Sequence, residues 1–165
     1  MSREVEIKSL ITEYDSLDEL PESDQTLLET AGKAADTAYA PYSHFNVGAA
    51  ILLESGEVVA GNNQENVAYP SGLCAERVAL FSVGAHHPNV PVKAIAITAK
   101  SERFNIDEPL APCGACRQVM VEYEKKSGQS IRIILRGEKG KVYVINSVGD
   151  ILPLSFSSDK LKETS

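Results

Sequence analysis

The sequence predicts an α/β domain built on a mixed sheet, and three observations carry the prediction. Stretches with apolar residues at helical spacing alternate with short runs rich in branched apolar residues. The runs at 47–53 and 57–60 are joined by a three-residue turn, and those at 131–135 and 142–145 by six residues containing two glycines. Parallel neighbours need a long crossover, so the last two strands must be antiparallel. The resulting order, α, β-hairpin, α, β, α, β-hairpin, makes a five-stranded mixed sheet with helices on its faces.

Each element follows from local chemistry. Residues 1–22 read as an arm ahead of a domain at 23–165. Val5 and Ile7 alternate as in a short strand and 17–20 suits a helical turn, so the arm is expected to pack on the domain or on a neighbouring subunit. A helix follows, with Ser23 as N-cap and Asp24 in its first turn. Leu27, Leu28, Ala31, Ala34, Ala35 and Ala38 give it a narrow face of mostly small residues that can lie close to a sheet, and Pro41 ends it. The first hairpin turns at Glu54-Ser55-Gly56, where Gly suits a positive φ. A polar loop, 61–70, leads to a helix that starts near Cys74, buries Val78, Ala79 and Phe81, and stops around Gly84. Residues 92–99 form the third strand. After a loop at 100–112, Cys113 opens a helix with Val119, Met120 and Tyr123 inward, closed by Ser127-Gly128. The second hairpin completes the sheet, and 151–156 lead into a short helix or tail.

At 165 residues the chain fits one domain, and its 43% apolar content, spread along the whole length, describes a globular protein. A net charge of −7 argues against a polyanionic partner such as nucleic acid. No apolar run is long enough to span a bilayer and no signal-type segment opens the chain, so no membrane partner and a cytoplasmic location are expected. Thiols stay reduced there, and clustered cysteines favour metal over disulfide.

All three cysteines fall in two short stretches, Ser71-Gly72-Leu73-Cys74-Ala75-Glu76-Arg77 and Pro112-Cys113-Gly114-Ala115-Cys116, each where a helix should begin. Three thiolates bind zinc but leave its fourth tetrahedral position open, as in catalytic sites. Glu76, two residues past Cys74, can exchange protons with a water there, which points to hydrolysis. A thioredoxin-like redox pair, a structural zinc site or inert buried thiols are the competing readings of the C-x-x-C alone. Zinc with three thiolates is formally −1, so cationic help is needed to keep the water acidic. Two helix N-termini, Arg77 and Gln118 are the candidate donors toward the sulfurs.

Five blocks go further. Residues 42–50 (YSHFNVGAA), 61–66 (GNNQEN), 74–77 (CAER), 112–118 (PCGACRQ), and Leu152-Pro153 with Phe156 resemble the cytidine deaminases, in particular the small homotetrameric nucleoside branch. The resemblance spans roughly 24–160. It implies a three-layer α/β/α fold and one Zn2+ per chain on Cys74, Cys113 and Cys116, with Glu76 as the catalytic proton shuttle. It also implies that the Ala75 backbone reads the pyrimidine edge, Asn63 and Glu65 bond the ribose, and Phe45 packs on the base. Phe156 would reach the pyrimidine of a neighbouring subunit in a homotetramer with shared sites. The expected reaction is deamination of cytidine, and of deoxycytidine, in pyrimidine salvage. A deaminase of modified cytosine nucleosides and a non-catalytic zinc protein of the same fold are the alternatives. Gln64 and Val67 depart from the family pattern without removing a chemical group.

Overall fold

The computed structural model describes residues 2–157 and Leu161. Along the chain run β1 (Thr12–Tyr14), α1 (Glu22–Ala35), β2 (Phe45–Leu53), β3 (Val58–Asn62), α2 (Ala75–His86), β4 (Val92–Ser101), α3 (Gly114–Ser127), β5 (Arg132–Arg136) and β6 (Val142–Ile145). Short 3-10 turns occupy Leu17–Glu19, Tyr69–Ser71 and Val148–Asp150. The strands form one sheet in the order β1-β6-β5-β4-β2-β3. Neighbours β4 and β5 are parallel and the other neighbouring pairs antiparallel, including both predicted hairpins.

Alternation along the strands decides which layer each side chain joins. On one face Ala50, Ala94, Ala96, Ile134, Val142 and Val144 pack with Leu27, Leu28 and Ala31 of α1. On the other, Ala49, Ile51, Ile95, Ile97, Ile133 and Leu135 pack with Ala79, Leu80 and Val83 of α2 and with Met120 of α3. Fully burying a side chain of the larger kind is worth about 1.5–3 kcal/mol, so these two clusters supply most of the drive to fold. The α1 face is lined by alanines on both sides, which brings the helix close. A Cβ added at Gly48 would run into the Ala31 carbonyl.

The sheet holds six strands, one more than the sequence predicts. The alternating Val5 and Ile7 are exposed and form no strand; Thr12–Tyr14 does, with Thr12 opposite Val144 and Tyr14 opposite Val142. An ion pair links Glu13 of β1 to Lys141, the residue just before β6. A three-residue, largely polar edge strand carries no apolar signature, because it is defined by its partner. Helix α1 begins at Glu22 behind Pro21 rather than behind Ser23, and stops at Ala35 before reaching Pro41. Phe81 is 45% exposed rather than inward; Ala79, Leu80 and Val83 form the buried stripe of α2. The turn glycines behave as expected, with Gly56 at φ 89° and Gly128 capping α3 at φ 66°.

This topology sets up a site. Strands β3 and β4 are both antiparallel to β2 and therefore run the same way. The chain leaves the C-terminal end of each and enters α2 and α3 on one face, so two helix N-termini meet beyond the sheet. The start of β2 lies at that same end. Contact between β3 and α2 depends on Gly61, where a Cβ would stand 2.6 Å from the Ala79 nitrogen and 3.0 Å from the Ala75 carbonyl oxygen.

Candidate active site

Cys74 and Cys113 are the N-cap residues of α2 and α3. Their carbonyls accept the first helical hydrogen bonds, from Arg77 and Val78 in α2 and from Arg117 in α3. Neither sulfur is spent on capping the backbone, so both are free to turn toward a ligand. Cys116, one turn into α3, is fully buried with its sulfur 3.5 Å from that of Cys113. The three sulfurs lie within 4.8 Å of one another. That spacing, the softness of thiolates and the limit of three donors fit zinc with one position left over.

The electrostatics suit a cation. The Cys116 thiol donates to Cys74 and the Arg77 guanidinium stands beside it, and together they pull Cys74 down to about 5 against the opposing effect of burial. The same coupling keeps Cys116 protonated, its pKa pushed up. Arg77 Nη2 lies 3.8 Å from the Cys74 sulfur, as its sequence role requires. Glu76 is only 4% exposed. Burial raises its pKa, and the nearby Cys74 charge adds to the shift.

A cavity of about 770 Å³ opens beside this cluster, and Cys74, Glu76, Arg77 and Cys113 help line it. Phe45, Asn63 and Glu65 join the wall, so the structure brings together most of the residues the sequence singles out. Ala75 lies fully buried between Cys74 and Glu76. Asn63 holds the start of β2: its Oδ1 accepts from Val47 N at 2.8 Å and its Nδ2 donates to Phe45 O at 2.9 Å. Each of those atoms keeps capacity for one further bond. The Glu65 Oε2 accepts from Tyr42 N at 2.9 Å and Ser43 N at 3.3 Å. Desolvation pushes the Glu65 carboxyl upward, but the Ser43 hydroxyl and these two amides outweigh it and hold it ionised to lower pH. Between them, His44 adopts φ 55° just before Phe45.

Two predicted residues stand elsewhere. Phe156 is 75% exposed and absent from the cavity wall of its own chain. The Gln118 amide is taken up by the tail, donating to Phe156 O at 2.8 Å and accepting from Phe156 N at 3.2 Å. Tyr42, Tyr69, Leu73 and Leu110, to which the sequence assigns no role, also line the cavity. Tyr42 lies in a matching block and Leu110 just before Pro112, so proximity to the motifs was the available signal. Phe104 stacks on Phe45 with ring centroids 6.1 Å apart, a contact no local pattern announces.

The family described as the cytidine and deoxycytidylate deaminase zinc-binding region matches residues 21–128. The chain is 38% identical to the cytidine deaminase of Halalkalibacterium halodurans over 139 residues, which cover 84% of this chain and 98% of that one. A cytidine deaminase of Mycobacterium tuberculosis is 37% identical, over 86% of this chain and 96% of that one. Among solved structures, cytidine deaminase from Burkholderia pseudomallei superposes with a TM-score of 0.70 at 41% identity, covering 83% of this chain and 100% of that one.

Proposed function

The chain belongs to the cytidine and deoxycytidylate deaminase family, and on that premise we propose that it hydrolyses cytidine, and deoxycytidine, to the corresponding uracil nucleoside and ammonia. The observation that carries this reading is a buried carboxyl with a raised pKa, Glu76, lining the same cavity as Cys74 and Cys113 of the three-cysteine cluster.

Cys74, Cys113 and Cys116 hold one zinc per chain. When bound, zinc supplies the Lewis acidity that lets water act as a nucleophile near neutral pH, the general scheme of zinc deaminases. The residues of the chain do the rest. Glu76 takes a proton from the attacking water and delivers it to ring N3, then takes the remaining proton from the new C4 hydroxyl and passes it to the amine, which leaves as ammonia as the C4 carbonyl forms. Its raised pKa suits a group that must both accept and donate. Arg77 offsets the thiolate charge. The Ala75 backbone reads the pyrimidine edge, Phe45 packs on the base, and Asn63 and Glu65 engage the ribose. Phe156, exposed on its own chain, completes the site of a neighbouring subunit in a homotetramer. Gln118 serves that contact by holding the tail rather than by bonding a sulfur. The 1–22 segment is accessory to the catalytic domain at 23–165.

The net charge of −7 suits a small nucleoside better than a nucleic acid. No helix among the described residues is long and apolar enough to cross a membrane. A cytoplasmic role in pyrimidine salvage follows from the substrate. The test is the loss of ultraviolet absorbance on cytidine, run beside deoxycytidine, cytosine and CMP. Turnover of the two nucleosides is expected. Activity confined to CMP, or none in zinc-loaded protein, overturns the reading.

A further inference from the structure

One side chain joins the metal cluster to the C-terminal segment. Arg117 Nε donates to the Pro112 carbonyl at 2.7 Å, and its Nη1 donates to the Ile151 carbonyl at 2.8 Å. Pro112 is buried and immediately precedes Cys113. Fixing its carbonyl fixes the plane of the Pro112–Cys113 peptide, and with it the direction in which Cys113 leaves the backbone. Cys113 needs such support, because it is the one exposed cysteine of the three and sits at the end of a loop rather than inside a helix. On its other side, the same guanidinium holds the chain where it leaves the Val148–Asp150 turn. That turn is itself tied to α3: Glu124 accepts from Val148 N at 2.9 Å and from Ser147 Oγ at 3.0 Å.

We propose that Arg117 is a positioning residue that couples the seat of the C-terminal segment to the aim of Cys113, so that zinc is held firmly only while the segment is docked. The inference rests on the zinc reading above. A planar fork is what the geometry demands, since two carbonyls from distant parts of the chain must be bonded at once; a lysine ammonium has neither the span nor the fixed angle. Gln118, next along the helix, bonds the Phe156 backbone and, among the described residues, makes no bond to the Cys113 peptide.

The test is zinc transfer from the purified protein to a chromogenic chelator, followed in time beside thermal melting. Groups that orient a metal ligand typically contribute about 10- to 100-fold to metal affinity. Arg117→Ala is therefore expected to weaken zinc retention by that factor, with Arg117→Lys between it and wild type. Gln118→Ala, which frees the tail tip alone, is expected to retain zinc as wild type does. Release from Arg117→Ala at the wild-type rate, with only the melting temperature lowered, overturns the inference and leaves Arg117 a plain structural residue. Failure of both Arg117 variants to fold does the same. Wild-type protein that binds no zinc fails at the earlier step and removes the proposed function together with this inference.

Discussion

Replacing Gly61 by alanine tests whether the site is aimed by backbone contact between β3 and α2. The added Cβ would lie 2.6 Å from the Ala79 nitrogen and 3.0 Å from the Ala75 carbonyl oxygen and the Ala79 Cα, where ordinary contact begins at 3.4 Å. All three opposing atoms are backbone, so no side chain can swing away. Relief requires α2 to move off the sheet by about 0.8 Å, and packed interiors yield little. Overpacking of this kind costs about 1–3 kcal/mol, which for a domain of this size lowers the melting temperature by about 2–12 °C. Because α2 carries Cys74 and Glu76 in its first turn, the same shift misplaces them against α3. An error near 1 Å at reacting groups can cost about 100-fold in rate. Gly32 is the control: nothing lies within 4 Å of a Cβ there, and alanine in a helix interior gains about 0.8–1 kcal/mol over glycine. Melting curves, zinc content and kcat on cytidine are to be measured for both variants. Gly61→Ala should lose stability and turnover, while Gly32→Ala melts higher at unchanged kcat. A Gly61→Ala enzyme with wild-type melting and turnover would refute the argument.

Glu76→Gln should retain zinc and fold yet lose about 10²- to 10⁴-fold in kcat. In metal-free protein the raised Glu76 pKa means that the folded state holds its proton more tightly than the unfolded chain. Stability therefore declines as pH climbs from the ordinary carboxylate range toward the raised value, and Glu76→Gln should melt higher than wild type at pH 7 but not at pH 4; no such pH dependence in the difference removes burial as the cause. Cys113→Ala should purify without stoichiometric zinc, and chelation of wild type should lower its melting point; zinc kept at wild-type affinity contradicts the ligand set. Inactive Glu76→Gln and Phe156→Ala chains, once mixed in one oligomer, should recover activity at sites that receive both intact residues. No recovery in demonstrably mixed oligomers refutes the shared site.

The legibility of the chain was uneven for physical reasons. Strand β6 falls where the sequence places it because its apolar residues lie just past the Gly140 turn, at φ 78°. The helix starts at Cys74 and Cys113 were readable because turn-forming residues precede both. Strand β1 was not, because Thr12–Tyr14 gains its conformation from pairing with β6, more than a hundred residues away. The Phe81 misreading has a related cause: in a helix with apolar residues on several sides, spacing alone does not say which stripe meets the sheet. Within the site, residue types that bind metal announced themselves, whereas the orientation of Gln118 depends on a tail whose path no local pattern encodes. The resemblance marks Asn63 and Glu65 as ribose contacts, but nothing in the sequence shows them as the anchors of the Phe45–Val47 and Tyr42–Ser43 backbones.

The division of the cysteines between two helix starts has a consequence for the birth of the protein. A chain emerging from the ribosome exposes Cys74 well before the Cys113 pair, and neither set alone offers three sulfurs. The three sulfurs converge only after β4 has docked and α3 has been made. If Arg117 closes on Ile151 as well, that clamp waits for the segment that follows β6. A chain interrupted before α3 therefore carries Cys74 without the two partners that complete the cluster.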